Sequence, residues 1–140
     1  MKGNSAGVRY GLSDLPLSEA PKLKALIVDD ETDTRYLLSN ILKQRNIQSV
    51  FAGSLAEAGK MLSGNDDFSI IFLDNHLPDG SSITMIKQLK KDHPLSQLVM
   101  ITAHDGRKDK EKAVRNSVDY FIAKPFSRAT ILETLDRFPA

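Results

Sequence analysis

Four short apolar runs in this chain are unbroken by polar residues, and each stops at a residue with reactive chemistry. Leu26-Ile27-Val28 stops at Asp29-Asp30, Ile70 to Leu73 at Asp74, Leu98 to Ile101 at Thr102, and Phe121-Ile122-Ala123 at Lys124. Runs of Ile, Val, Leu and Phe without alternation mark strands buried on both faces, as in a parallel sheet covered by helices. Between the runs the apolar positions switch to helical spacing. Leu37, Leu38, Ile41 and Leu42 share a face, as do Ile83, Ile86 and Leu89, and then Ile131, Leu135 and Phe138. Ser54 with Glu57 three residues on has capping-box spacing and predicts a helix through Leu62, ended by Gly64-Asn65.

The pattern predicts strands over 24–29, 48–51, 68–73, 98–101 and 119–123. They alternate with helices over 32–45, 54–62, 82–91, 107–115 and 128–138. Regular alternation with short connections implies right-handed crossovers and a doubly wound α/β sheet with helices on both faces. In such a sheet the C-terminal strand ends share one edge, and ligands bind in the crevice outside it. Residues remote in sequence therefore converge there.

A length of 140 residues suits one domain with a sufficient core. Residues 1–21, with Gly3, Gly7, Gly11, Pro16 and Pro21, read as a flexible leader or linker, which leaves 22–140 for the domain. The absence of cysteine excludes disulfides and thiolate metal sites and is consistent with a reducing cytoplasm. No stretch has the length of a signal-peptide core or a membrane span, so a cytoplasmic protein with no membrane contact is expected. With 19 basic and 18 acidic residues the formal charge is +1, which gives no electrostatic case for nucleic-acid binding.

Asp29 and Asp30 stand just before a helix, where acids favour the positive N-terminus. Joined by Asp74 from another strand, they also form an all-oxygen set suited to a hard divalent cation such as Mg²⁺. The Leu77-Pro78-Asp79-Gly80 turn accounts for Pro78 and Gly80 but not for Asp74. An aspartate can act as a nucleophile that forms an acyl phosphate, given a metal and fixed donors for the phosphoryl oxygens. Thr102 and Lys124 supply a hydroxyl and a cation at the same edge. Singly, one would be a strand-end hydroxyl and the other a solvated charge; together the five residues point to one site.

Four motifs in order, Val28-Asp29-Asp30-Glu31, Phe72-Leu73-Asp74 with Leu77-Pro78-Asp79-Gly80, Ile101-Thr102-Ala103 and Ala123-Lys124-Pro125-Phe126, resemble the receiver domains of two-component response regulators. The resemblance spans about Lys22 to Phe138. It implies a flavodoxin-like (CheY-like) five-stranded parallel sheet of order 2-1-3-4-5. It also implies that Asp74 accepts a phosphoryl group from a sensor histidine kinase or a histidine phosphotransfer protein. Mg²⁺, or Mn²⁺ in its place, would be held by Asp30 and Asp74 directly, by Asp29 through water, and by the His76 backbone carbonyl. Lys124, Thr102 and the Ala103 N–H would contact the phosphoryl group, and a cis bond before Pro125 would aim Lys124. Phe121 falls at the switch aromatic, a role compatible with a plain core position. Its turn inward would repack the output face of helix four, strand five and helix five.

Ser82 and Ser117-Val118 depart from the family pattern in loops, with Asn116 able to supply a left-handed residue. His76 and His104 are either exposed loop residues or side chains that tune the acyl-phosphate lifetime through titration near neutrality. A histidine–carboxylate metal site is the weaker alternative for them. The charged fourth helix is either a solvated face or a docking surface. The expected function is a phosphorylation-dependent switch that acts on an unknown downstream protein, with dimerisation on phosphorylation as one mode. It would not be a turnover enzyme. The rival is an aspartyl-phosphate phosphohydrolase, against which Asp74-Asn75-His76 lacks a second carboxylate. A chain ending at Ala140 is compatible with a stand-alone receiver, a phosphorelay intermediate or an excised receiver of a hybrid histidine kinase.

Overall fold

The computed structural model describes residues 23–64, 67–103, 108, 112 and 118–139. Five parallel strands form its sheet: β1 (Leu23–Val28), β2 (Ile47–Ala52), β3 (Ile70–Asp74), β4 (Gln97–Thr102) and β5 (Tyr120–Ala123), in the order β2-β1-β3-β4-β5. The doubly wound order reverses between β1 and β3, and this places the crevice of such folds above those two strands. Register fixes the top edge: Val28 lies beside Leu73, Asp74 beside Ile101, and Thr102 beside Ala123.

Alternation along the buried strands divides the core into two layers. Leu26, Val28, Ile71, Leu73, Leu98 and Met100 face α2 (Leu55–Leu62) and α3 (Ile86–Asp92) and pack with Ala58, Leu62, Ile86 and Leu89. Ala25, Ile27, Ile70, Phe72, Val99 and Ile101 face the other way, towards Leu38, Ile41 and Leu42 of α1 (Thr32–Lys43) and Ile131 of the last helix (Arg128–Asp136). Burying a large apolar side chain contributes about 1.5–3 kcal/mol. The unbroken apolar runs are thus what makes a two-faced sheet stable.

Several expected bounds shift by one or two residues, for local reasons. Helix α1 stops at Lys43 rather than Arg45 because Asn46 takes the left-handed conformation (φ 57°) that closes a helix. Leu37, expected on the buried face, is 44% exposed, whereas Leu38, Ile41 and Leu42 carry the packing. The helix expected over 82–91 opens as a 3₁₀ turn (Ser82–Met85) before α3. Ser82 is fully buried and its N–H donates to the Asn75 carbonyl (3.2 Å), which draws this first turn against the sheet. Preceding it, His76–Leu77 and Gly80–Ser81 form a two-residue antiparallel ribbon. Within the expected charged helix, Lys108 and Lys112 are helical and exposed. Its other residues, with His104, Asn116 and Ser117, lie outside the described residues.

Candidate functional site

Asp29 follows β1 and its N–H still donates to the Ala52 carbonyl (2.9 Å), so the chain is extended as it leaves the sheet. The Asp29 side chain is 2% exposed. Its Oδ1 accepts a hydrogen bond from the Glu31 N–H (2.8 Å). Asp74, the last residue of β3 and 5% exposed, is held in the same way, with Oδ1 accepting from the His76 N–H (3.3 Å). In each acid one oxygen is tied to the backbone two residues on, and the other faces Lys124.

Lys124 arrives from β5. Its N–H donates to the Thr102 carbonyl (2.7 Å), and its peptide bond to Pro125 is cis. The ammonium Nζ lies 2.5 Å from Glu31 Oε1, 2.9 Å from Asp29 Oδ2 and 3.3 Å from Asp74 Oδ2. The contact with Asp29 is an ion pair without hydrogen-bond alignment, so Asp29 Oδ2 is a buried oxygen with no hydrogen bond. Thr102 is fully buried, and among the described residues its Oγ1 has no hydrogen-bond partner either.

The charges perturb one another. Burial raises the Asp74 pKa and the Asp29 charge adds to that, against the opposing pull of Lys124 and the His76 N–H. Burial works against the Lys124 ammonium, but the hydrogen bond to Glu31 and the charges of Asp29 and Asp74 outweigh it and raise its pKa. Glu31 is lowered by its hydrogen bond to Lys124 and then by the ammonium's charge.

The resemblance assigned direct metal contact to Asp30 together with Asp74. Asp30 is exposed, and the acids whose carboxylate oxygens lie within 4.8 Å of one another are Asp29, Glu31 and Asp74. The chain bends at Asp30, where the Glu31 N–H turns back onto Asp29 Oδ1, and this brings Glu31 beside Asp29. Glu31 is itself extended (φ −86°, ψ 118°) before α1 begins. Two buried carboxylate oxygens converging on one point, one of them without a hydrogen bond, fit a hard divalent cation. Asp29 and Asp74 are the buried side chains that would hold it, with exposed Glu31 at the rim of the cluster.

Around this centre, Ala103 is exposed and borders a cavity of about 370 Å³ with Glu31, Leu37, Lys124, Pro125 and Phe126. His76 is exposed in the short ribbon, and its ring Nε2 lies 3.5 Å from Asn75 Nδ2. Phe121 is half-buried and packs against the core layer beneath α2 and α3. Sequence reasoning gave no role to Glu31, although its spacing of two from Asp29 was a usable signal. It also passed over Asn75, which is 2% exposed and accepts a hydrogen bond from Ser81 Oγ. Among the described residues no helix is long and apolar enough to cross a membrane.

Comparison with known proteins places this geometry in context. The family model for the response regulator receiver domain matches residues 25–136. The chain is 32% identical over 110 residues to the response regulator protein PilR of Pseudomonas aeruginosa, covering 79% of this chain and 24% of PilR. It therefore spans about a quarter of that relative. It is 26% identical over 117 residues to the chemotaxis protein CheY1 of Helicobacter pylori, covering 81% of this chain and 94% of CheY1. Among solved structures, a CheY-like receiver domain protein from Methanospirillum hungatei superimposes with a TM-score of 0.76 at 22% identity, over 83% of this chain and 92% of that one. A Burkholderia pseudomallei response regulator with a phosphorylated aspartic acid, calcium ion and citrate superimposes with a TM-score of 0.74 at 26% identity, over 81% of this chain and 66% of that one. Ordered motifs, sheet order and family match agree, and the chain belongs to the response regulator receiver domain family.

Proposed function

We propose that this domain is a phosphorylation switch in which Asp74 takes a phosphoryl group from a phosphohistidine on a sensor kinase or phosphotransfer protein. Asp74 Oδ2 forms the new P–O bond as the P–N bond to the donor imidazole breaks. Lys124, 3.3 Å from that oxygen, offsets charge on the incoming phosphoryl group. A divalent cation, Mg²⁺ by preference, would neutralise further phosphoryl charge when bound to the acids. The unpartnered Thr102 hydroxyl then gains an acceptor, and its movement frees space for half-buried Phe121 to repack the surface around β5. The Burkholderia pseudomallei response regulator, solved with a phosphorylated aspartic acid and a calcium ion, supports a reading that involves both a cation and a phosphoryl group.

The observation that carries this reading is the meeting of Asp74, Lys124 and a buried, unpartnered Thr102 hydroxyl on three adjoining strands. The phosphohydrolase rival would carry its acid/base carboxylate two residues after the nucleophile, where this chain has His76, and the intervening Asn75 is engaged with Ser81. The test is incubation with acetyl phosphate and MgCl₂ followed by intact-mass measurement. Wild type should gain the mass of one phosphoryl group and Asp74→Asn none. An unmodified wild type, or an equally modified variant, rules the reading out.

A further inference from the structure

Lys124 is held most closely not by the two buried aspartates but by Glu31, at 2.5 Å against 2.9 Å and 3.3 Å. The two kinds of partner differ in setting. Asp29 and Asp74 are almost fully buried, with their outer oxygens fixed by backbone N–H groups, whereas the Glu31 side chain is 58% exposed. A divalent cation entering the acids must take Asp29 Oδ2 and Asp74 Oδ2 from the ammonium. Lys124 is only 10% exposed, so an ammonium with no remaining carboxylate would be left desolvated and unpaired. Glu31 gives it a second anchor that can stay in place. That glutamate is positioned from both sides, through its own N–H on Asp29 Oδ1 and through the Thr34 hydroxyl donating to Oε1 at 3.4 Å.

Resting on the switch reading above, we propose that Glu31 is a positioning residue for Lys124: it keeps the ammonium at the rim of the pocket when Asp29 and Asp74 are given over to a divalent cation. Glu31 thereby eases cation entry and leaves Lys124 beside Asp74, ready for a phosphoryl group. The role is exercised through Lys124, not through a bond from Glu31 to the metal.

Mn²⁺ binding to the intact chain, read from free Mn²⁺ by electron paramagnetic resonance, tests this without any phosphorylation. Glu31→Gln should weaken Mn²⁺ binding roughly tenfold, the scale of a residue that supports a metal site from outside its ligands. In a Lys124→Met background the same substitution should have little effect, because the group it positions is gone. Equal weakening in both backgrounds, or no weakening with Lys124 present, overturns the proposal. Acetic anhydride labelling read by peptide mass gives a second measure that does not depend on the Lys124→Met protein folding. Lys124 should stay protected on Mn²⁺ addition in wild type and become reactive in Glu31→Gln; unchanged protection in the variant also overturns it. Wild type that binds no Mn²⁺ defeats the metal-dependent reading together with this one, whereas binding unaffected by Glu31→Gln defeats this one alone.

Discussion

Asp79 Oδ1 accepts a hydrogen bond from the Leu55 N–H at 2.8 Å, and Asp79 Oδ2 one from the Ala56 N–H at 3.0 Å. The loop after β3 therefore caps the first turn of α2, alongside the Ser54 side chain on the Glu57 N–H. Those N–H groups hold the Asp79 pKa below its ordinary value of 3.8. Because the folded value is depressed, the cap's contribution is fully present above the unfolded value and is lost as pH falls through the folded one. Asp79→Asn should melt a few degrees below wild type at neutral pH, and the gap should narrow on acidification. Thermal melts at pH 7 and pH 3 check this, and a gap that widens in acid contradicts it.

At the opposite end of the sheet, Asp119 ties two strands. Its Oδ2 accepts from the N–H of Leu98 (2.8 Å), its own N–H donates to the Leu98 carbonyl (3.1 Å), and Lys90 Nζ sits 3.0 Å away. Removing the carboxylate leaves the N–H of buried Leu98 unpaired, a loss of about 1–3 kcal/mol. Removing Lys90 deletes only a partly exposed ion pair, worth about 0–1 kcal/mol. In urea unfolding, Asp119→Ala should lose clearly more stability than Lys90→Ala. The reverse order would mean that the ion pair, not the strand contact, matters.

Asp74 works against its own fold. Its raised pKa means that the folded chain keeps this proton to higher pH than the unfolded chain does. Ionising it therefore costs stability: the fold is most favoured below the unfolded value, and the loss is complete once pH exceeds the folded one. Asp74→Asn should be more stable than wild type at pH 7, because it carries no buried charge there. The advantage should shrink towards pH 4. Denaturant titrations across that range measure it, and a variant less stable at pH 7 would show that Lys124 depends on Asp74 more than burial disfavours the charge.

The two-faced sheet and its shared edge were legible because every buried strand alternates between two apolar layers, whereas the strand order came from the family resemblance. Ile71 and Leu73 pack one way and Ile70 and Phe72 the other, and an unbroken apolar run encodes both. Asp29, Asp74, Thr102 and Lys124 followed from where those runs stop. Glu31 did not, because its direction depends on the bend at Asp30 just past β1 and on a partner 93 positions away. The cap from Asp79 to Leu55 is equally non-local. Leu37 has an apolar identity but borders the cavity beside Phe126, so spacing alone could not tell it from its buried neighbour Leu38.

In the proposed switch, Thr102 joins stability and switching in one atom. A hydroxyl buried without a partner costs about 1–3 kcal/mol relative to one that is bonded, and among the described residues Thr102 Oγ1 has none. Thr102→Val keeps the branched shape that fills the space between β3 and β5 and removes the unpaired oxygen. In the unphosphorylated chain the variant should therefore be as stable as wild type or gain about 1 kcal/mol. Beryllofluoride, added with MgCl₂ as a phosphoryl mimic, should reverse the order. Wild type gains a partner for Oγ1 on binding and valine cannot, so wild type should show the larger rise in melting temperature. An equal rise in both proteins would mean that Thr102 does not contact the phosphoryl site, and a large loss of stability without the mimic would mean that its hydroxyl is already satisfied.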